Sequence, residues 1–117
     1  AYLKLAKINI LRKKYSAVLN FLKKGYDLDP SATEDVLTLG DLLRDDKVFD
    51  LARKSYELVL SKQPTLESPY LRICQIYDKT AQRDKCIVLL KAGLQKNPEG
   101  KALKEKLRSL GAQANRK

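Results

Sequence analysis

The chain has 117 residues, of which 44% are hydrophobic and 32% charged, and its formal net charge is +10. This length is enough for one domain. The apolar runs are only a few residues long, which argues against a transmembrane helix. Two Cys and no His argue against a zinc site or a catalytic histidine.

The charge is distributed unevenly along the chain. Residues 1–26 hold seven basic side chains and no acid, whereas residues 27–50 hold eight acids and two basic side chains. Residues 51–117 hold fifteen basic and six acidic side chains. An excess of positive charge attracts anions in general, but it does not by itself indicate nucleic-acid binding.

Three prolines, Pro30, Pro64 and Pro98, are spaced 34 residues apart. Further sets keep the same step: Leu5, Leu39 and Ile73; Ala6, Gly40 and Cys74; Val18, Ala52 and Cys86; Leu22, Tyr56 and Leu90; Gly25, Val59 and Gly93. A fixed period of this length indicates a stack of repeated supersecondary units.

Within each unit the apolar residues follow a helical period in two blocks, separated by a short polar break. The pattern predicts these elements in chain order: helices at 1–12 and 14–26, blocks at 36–43 and 49–60, helices near 68–80 and 83–95, a seventh helix at 99–111 and a tail at 112–117. Leu103, Leu107 and Leu110 share one face of the seventh helix, and Gly111 is the expected C′ residue that ends it. The repeats therefore span 1–32, 33–66 and 67–98.

The first residues already lie in helical register. Tyr2, Leu5 and Ala6 fit the apolar period, and no N-cap residue precedes them. We interpret the sequence as a fragment of a larger protein or as a processed product, cut inside or just before a helix; whether more repeats or other domains precede Ala1 stays open.

These motifs resemble the tetratricopeptide repeat (TPR) family, whose signature is W-x2-L-G-x2-Y, then A-x3-F, then P. The second repeat supplies Val36, Leu39, Gly40, Leu43, Ala52, Tyr56 and Pro64; the third supplies Tyr70, Ile73, Cys74, Tyr77, Cys86, Leu90 and Pro98; the first supplies Tyr2, Leu5, Ala6, Val18, Leu22 and Pro30. The resemblance implies an all-α fold. It would be a right-handed superhelical solenoid of three helix-turn-helix repeats plus a C-terminal capping helix, forming one domain over residues 1–117.

Small residues recur 12 positions apart on neighbouring helices, as in Gly40 and Ala52 or Cys74 and Cys86. Two helices approach closely only where both lack bulk, so these positions are predicted to be crossing points. Cys74 and Cys86 are expected to be buried, in contact and unbridged; the alternative is a disulfide or redox switch. Arg83 stands where Tyr15 and Phe49 stand in the other repeats, which predicts looser packing of the last repeat.

The resemblance further implies that the first helices of successive repeats line a concave groove for a peptide. The groove-facing residues would be Leu3, Lys4, Lys7, Leu11, Leu37, Thr38, Asp41, Arg44, Asp45, Leu71, Arg72, Gln75 and Lys79. Among them Leu3, Leu37 and Leu71 recur at the 34-residue step and would form an apolar stripe flanked by charge, as peptide grooves do. The alternative is that this stripe is buried between neighbouring helices.

The predicted function is therefore a protein–protein interaction module or scaffold that binds a peptide segment of a partner. Two alternatives stay open: a structural segment of a longer TPR solenoid, and a repeat that binds RNA or an anionic surface through basic residues. No catalytic constellation, cofactor site or metal site is predicted, so the chain is not expected to be an enzyme. A cytoplasmic or other reducing compartment is expected. The slots that grip a chaperone's C-terminal carboxylate in one TPR subclass hold Leu3, Lys7, Thr38, Ser68 and Arg72; only Arg72 matches, which argues against that ligand.

Overall fold

A computed structural model describes residues 1–114, and side-chain exposure is described up to Gly111. The described residues form seven α-helices and no strand: α1 (Tyr2–Leu11), α2 (Val18–Leu28), α3 (Thr33–Asp45), α4 (Phe49–Lys62), α5 (Glu67–Lys79), α6 (Arg83–Lys96) and α7 (Lys101–Ala114). The all-α prediction is confirmed. The helix boundaries lie within a few residues of those that the apolar period predicts.

The helices belong to two compact units. The first comprises Ala1–Lys62, and the second begins at Gln63. In the first unit α1 packs on α2 and α3 packs on α4, while α3 also contacts α1 and α2. In the second unit α5 packs on α6, and α7 contacts both of them. This pairing of successive helices is consistent with a helical repeat.

Charged residues at the helix ends complement the helix dipole in most of these elements. Acids occupy the first turn and a basic residue the last turn of α3, α4, α5 and α6. Such placement stabilises a helix because the N-terminus carries partial positive charge and the C-terminus partial negative charge. Helix α1 has neither feature, so its stability depends more on packing.

The turns inside the three helix pairs repeat with the same 34-residue step. Lys13, Lys47 and Ala81 have positive φ angles of 57°, 64° and 57°. In each turn the following N–H reaches back to a helical carbonyl: Lys14 to Asn9 at 2.8 Å, Val48 to Leu43 at 2.8 Å and Gln82 to Tyr77 at 2.7 Å. This is the Schellman arrangement, in which a left-handed residue satisfies the last carbonyls of a helix. The repeat is therefore visible in the backbone as well as in the side chains.

We expect Lys47→Gly to stabilise the protein by roughly 0.5–1 kcal/mol, because glycine adopts positive φ without the steric cost that a Cβ imposes. The matched control is Lys23→Gly, at an exposed position inside α2, where glycine should cost about 1 kcal/mol. Urea denaturation measures both changes. A loss of stability in both variants would contradict this account of the turn.

Helix α7 is anchored to the second unit by polar contacts as well as by its apolar face. Leu103 and Leu110 are 0% and 2% exposed. The Arg83 side chain donates to the Leu110 carbonyl at 2.7 Å, and Glu67 accepts from the Leu103 N–H at 3.1 Å. Arg83 occupies the position at which the other repeats have Tyr15 and Phe49, and its guanidinium bonds to α7.

The end of α7 differs from its prediction. The helix runs through Gly111 to Ala114, and no described glycine has a positive φ. Gly111 is therefore a helical residue and not the predicted C′ residue. A Cβ at position 111 would have no heavy atom within 4 Å, so the packing does not require a glycine there. Of the predicted tail, residues 115–117 lie outside the described residues.

Candidate functional site

The first unit contains a groove between α1 and α3 with a volume of about 350 Å³. The lining residues are Leu3, Lys4 and Lys7 from α1, and Asp35, Thr38, Leu39 and Leu42 from α3. Leucines from both helices supply apolar walls, while the two lysines come from α1 and the aspartate comes from α3. The groove exists because α1 and α3 pack side by side and their facing residues follow the helical period.

Four of the predicted groove residues, Leu3, Lys4, Lys7 and Thr38, line this groove. Leu11, which was also predicted to face the groove, is not among its lining residues, whereas Asp35, Leu39 and Leu42 line it and were not predicted. Leu39 belongs to the apolar pattern that recurs every 34 residues, and it is 4% exposed. Its remaining exposed surface forms part of the groove wall, and the apolar pattern gives no sign of that.

Leu37 does not belong to an exposed stripe. It is 1% exposed, whereas Leu3 and Leu71, at the equivalent positions of the other repeats, are half-buried. The expectation of an accessible leucine at this position is wrong. The 34-residue step equates the three positions, but the neighbours that surround each of them differ.

Asp41 and Arg44 form part of an internal polar network. The hydroxyl of the buried Tyr56 donates to Asp41 Oδ1 at 2.5 Å. Arg44 pairs with the same carboxylate at 3.4 Å and with Asp45 at 3.5 Å. A partner would have to compete with these contacts, so both residues stabilise the α3–α4 pair in the free protein.

The remaining predicted groove residues lie on α5, in the second unit. Leu71 and Arg72 are half-buried, and Gln75 and Lys79 are exposed. The Arg72 guanidinium donates to the Ser68 hydroxyl one turn earlier on the same helix. Arg72 is therefore engaged locally in the free protein.

The lysines of the groove are available for an external anion. Lys4 and Lys7 are exposed, and neither makes an ion pair within the described part of the chain. They are three residues apart on one helix, so their ammonium groups lie on the same side. A carboxylate or phosphate entering this side of the groove would meet two positive charges beside an apolar wall.

Cys74 and Cys86 are in contact, as predicted, and both are 0% exposed. Their Cα atoms are 4.9 Å apart and their sulfur atoms lie at bonding distance, so the structure has a disulfide where two free thiols were expected. The physical reason is the close crossing of α5 and α6 at two small residues, which brings the sulfurs together. Because disulfides are typical of oxidising environments, this pair gives no support to the expected reducing compartment.

We expect reduction of this disulfide to lower the free energy of unfolding by about 2–3 kcal/mol, as for other short loops closed by a disulfide. Urea denaturation with and without dithiothreitol measures the effect. The Cys74→Ala/Cys86→Ala double variant should show no response to the reductant. Two titratable thiols in unreduced, denatured protein would contradict the assignment of a disulfide.

No protein-family model matches the sequence, and none of the curated proteins matches it either. Among the described residues, no helix is both long and apolar enough to cross a bilayer. The functional interpretation therefore depends on the repeat and on the geometry of the groove.

Proposed function

We propose that this chain is a protein–protein interaction module of the TPR class that binds a peptide segment of a partner in the groove between α1 and α3. Family membership is supported by the signature residues at the 34-residue step and by three helix pairs whose turns share one backbone geometry. The observation that carries the function is the groove itself: leucine walls next to two exposed lysines that make no ion pair with any described residue.

The chemistry of the groove defines the ligand in general terms. An apolar side chain of the partner would pack against Leu3, Leu39 and Leu42. A carboxylate one or two residues away would pair with Lys7, and a basic group would pair with Asp35. Because the walls are helices held by a packed core, binding would require little ordering of this chain, which favours affinity.

A rival function is non-specific attraction of RNA or an anionic surface to the positive charge. Single-strand binding by stacking requires aromatic rings interleaved with the basic residues. The groove has no aromatic side chain among its lining residues. Peptide binding therefore fits this groove better.

The test is affinity capture with wild-type protein, the groove variant Lys7→Glu/Thr38→Arg and the control Lys23→Glu. All three substituted residues are exposed, so folding should be unchanged to within about 0.5 kcal/mol. Partners retained by wild type and by the control should be lost at least tenfold with the groove variant, which corresponds to about 1.4 kcal/mol. Capture that all variants share, and that nuclease treatment or a modest rise in salt abolishes, would instead indicate the RNA-binding alternative.

A further inference from the structure

The outward side of α1 carries three large apolar side chains that the described chain leaves partly exposed. Leu5, Ile8 and Leu11 are 43%, 38% and 63% exposed. They are spaced three residues apart and form one stripe along the helix, which we call the outer face of α1. Only two other large apolar side chains among the described residues, Leu28 and Val88, are exposed. The outer face is thus a concentrated apolar surface and not the scattered exposure that is ordinary for surface residues.

The positions equivalent to Leu5 and Ile8 in the later repeats are covered, whereas those equivalent to Leu11 are the exposed Asp45 and Lys79. Leu39 and Ile73, which correspond to Leu5, are 4% and 1% exposed. Ile76, which corresponds to Ile8, is 2% exposed, and Leu42 is half-buried. In the first unit α3 packs on its pair partner α4 and also on the preceding helices α1 and α2. The repeat therefore shows what covers this kind of face: another α-helical element.

The charges around the outer face indicate the sign of its occupant. Lys4 and Arg12 flank the stripe, are exposed, and form no ion pair in the part of the chain that the structure describes. Residues 1–26 contain no acid. A second copy of α1 would therefore bring like charges together, which disfavours self-association through this face.

The comparison with α3 supports an acidic occupant. At the position of Arg12, the second repeat has Asp46, which pairs with Lys13 at 3.6 Å and accepts from the Tyr15 hydroxyl at 3.3 Å. In that contact the basic residue, Lys13, belongs to the preceding helix pair, and the acidic residue, Asp46, lies at the end of α3. At the outer face of α1 the sign of this residue is reversed, so the complementary element should provide a carboxylate.

We propose that the outer face of α1 is a second docking surface and that it binds an acidic amphipathic helix of a partner protein. Apolar residues of that helix pack on Leu5, Ile8 and Leu11, and its flanking carboxylates pair with Arg12 and Lys4. The surface is distinct from the groove, because none of the three apolar residues lines it; only Lys4 borders both. The two surfaces are therefore separable by mutation.

The probe is a synthetic peptide of about 18 residues, or five helical turns, with leucines on one face and glutamates beside them. Its control has the same composition with the leucines scrambled. We expect saturable binding of the amphipathic peptide to the ¹⁵N-labelled chain, with amide shifts concentrated in α1. The scrambled peptide should bind at least tenfold more weakly.

Variants assign the binding to the outer face. Leu5→Asp/Ile8→Asp should weaken binding at least tenfold, and Arg12→Glu about threefold or more, as expected for loss of a single charge pair flanking an apolar contact. Lys7→Glu, which changes the groove, should alter binding less than twofold. Circular dichroism checks that each variant is folded; Arg12→Glu substitutes an exposed residue, and its result decides the matter if the double variant unfolds.

Three outcomes would overturn the proposal. These are equal binding of the scrambled peptide, shifts centred on Thr38 and Asp35 instead of α1, or a concentration-dependent dimer of the free chain that Leu5→Asp/Ile8→Asp abolishes. Shifts centred on the groove would still support the proposed function. Intact binding at the outer face of α1 with no binding in the groove would support the present proposal and contradict the proposed function. The two proposals can therefore fail separately.

Discussion

Gly40→Leu is expected to destabilise the protein severely. A Cβ at position 40 would lie 2.6 Å from Tyr56 Cε1 and 3.0 Å from Cδ1, well inside van der Waals contact. The ring has no room to move, since Tyr56 is 0% exposed and its hydroxyl is bonded to Asp41. Overpacking of this kind costs roughly 1–3 kcal/mol or more. The remaining leucine atoms would force α3 and α4 further apart.

Lys24→Leu is the control for this prediction. Lys24 is exposed, and its ammonium lies 5.7 Å above the Tyr2 ring, so its replacement should change stability by at most about 1 kcal/mol. Thermal or urea unfolding distinguishes the two variants. Equal, small shifts for both would show that α3 and α4 do not pack as described. The atoms nearest to a Cβ at position 40 belong to Tyr56, one turn after Ala52 on α4.

Leu37→Asp is expected to abolish cooperative folding of the first unit. Leu37 is 1% exposed, and removing a buried leucine side chain alone costs about 2–5 kcal/mol. Burying a carboxylate without a partner adds a further penalty. The sum is a large part of the roughly 5–15 kcal/mol that stabilises a typical domain.

The matched control is Leu28→Asp, which makes the same chemical change at a residue that is 75% exposed. It should leave the circular dichroism spectrum and the melting temperature nearly unchanged. If Leu37→Asp were equally well folded, Leu37 would be accessible in solution, and the originally predicted apolar stripe would be restored as a binding surface.

The helices could be predicted because their information is local. Apolar residues at a 3.6-residue period, prolines after each pair and small residues such as Ala6, Ala52 and Cys86 appear directly in the sequence. All three of these small residues are 0% exposed. The turns were predicted in position but not in conformation, because Lys13, Lys47 and Ala81 take the left-handed geometry that glycine normally marks.

The candidate site could be predicted only in part. Leu3, Lys7 and Thr38 were recognised because the repeat places them on the same side of their helices. The position of Leu37 in the core, the bond from the Tyr56 hydroxyl to Asp41 and the bond from Arg83 to α7 depend on residues of other helices. The 34-residue step shows which positions are equivalent in the three repeats, but it does not show which residues pack against each of them.

The sequence alone determined that the chain forms helices, where those helices pair, and that Cys74 and Cys86 meet. These outcomes follow from periodicity and from side-chain size, which act along a helix and between adjacent helices. Only the tertiary structure decided that the two sulfurs are bonded, that Leu37 is buried while Leu5, Ile8 and Leu11 are exposed, and that the groove lies between α1 and α3. Exposure and bonding depend on every neighbour in three dimensions, and the same residue type at the same repeat position meets different neighbours in each repeat.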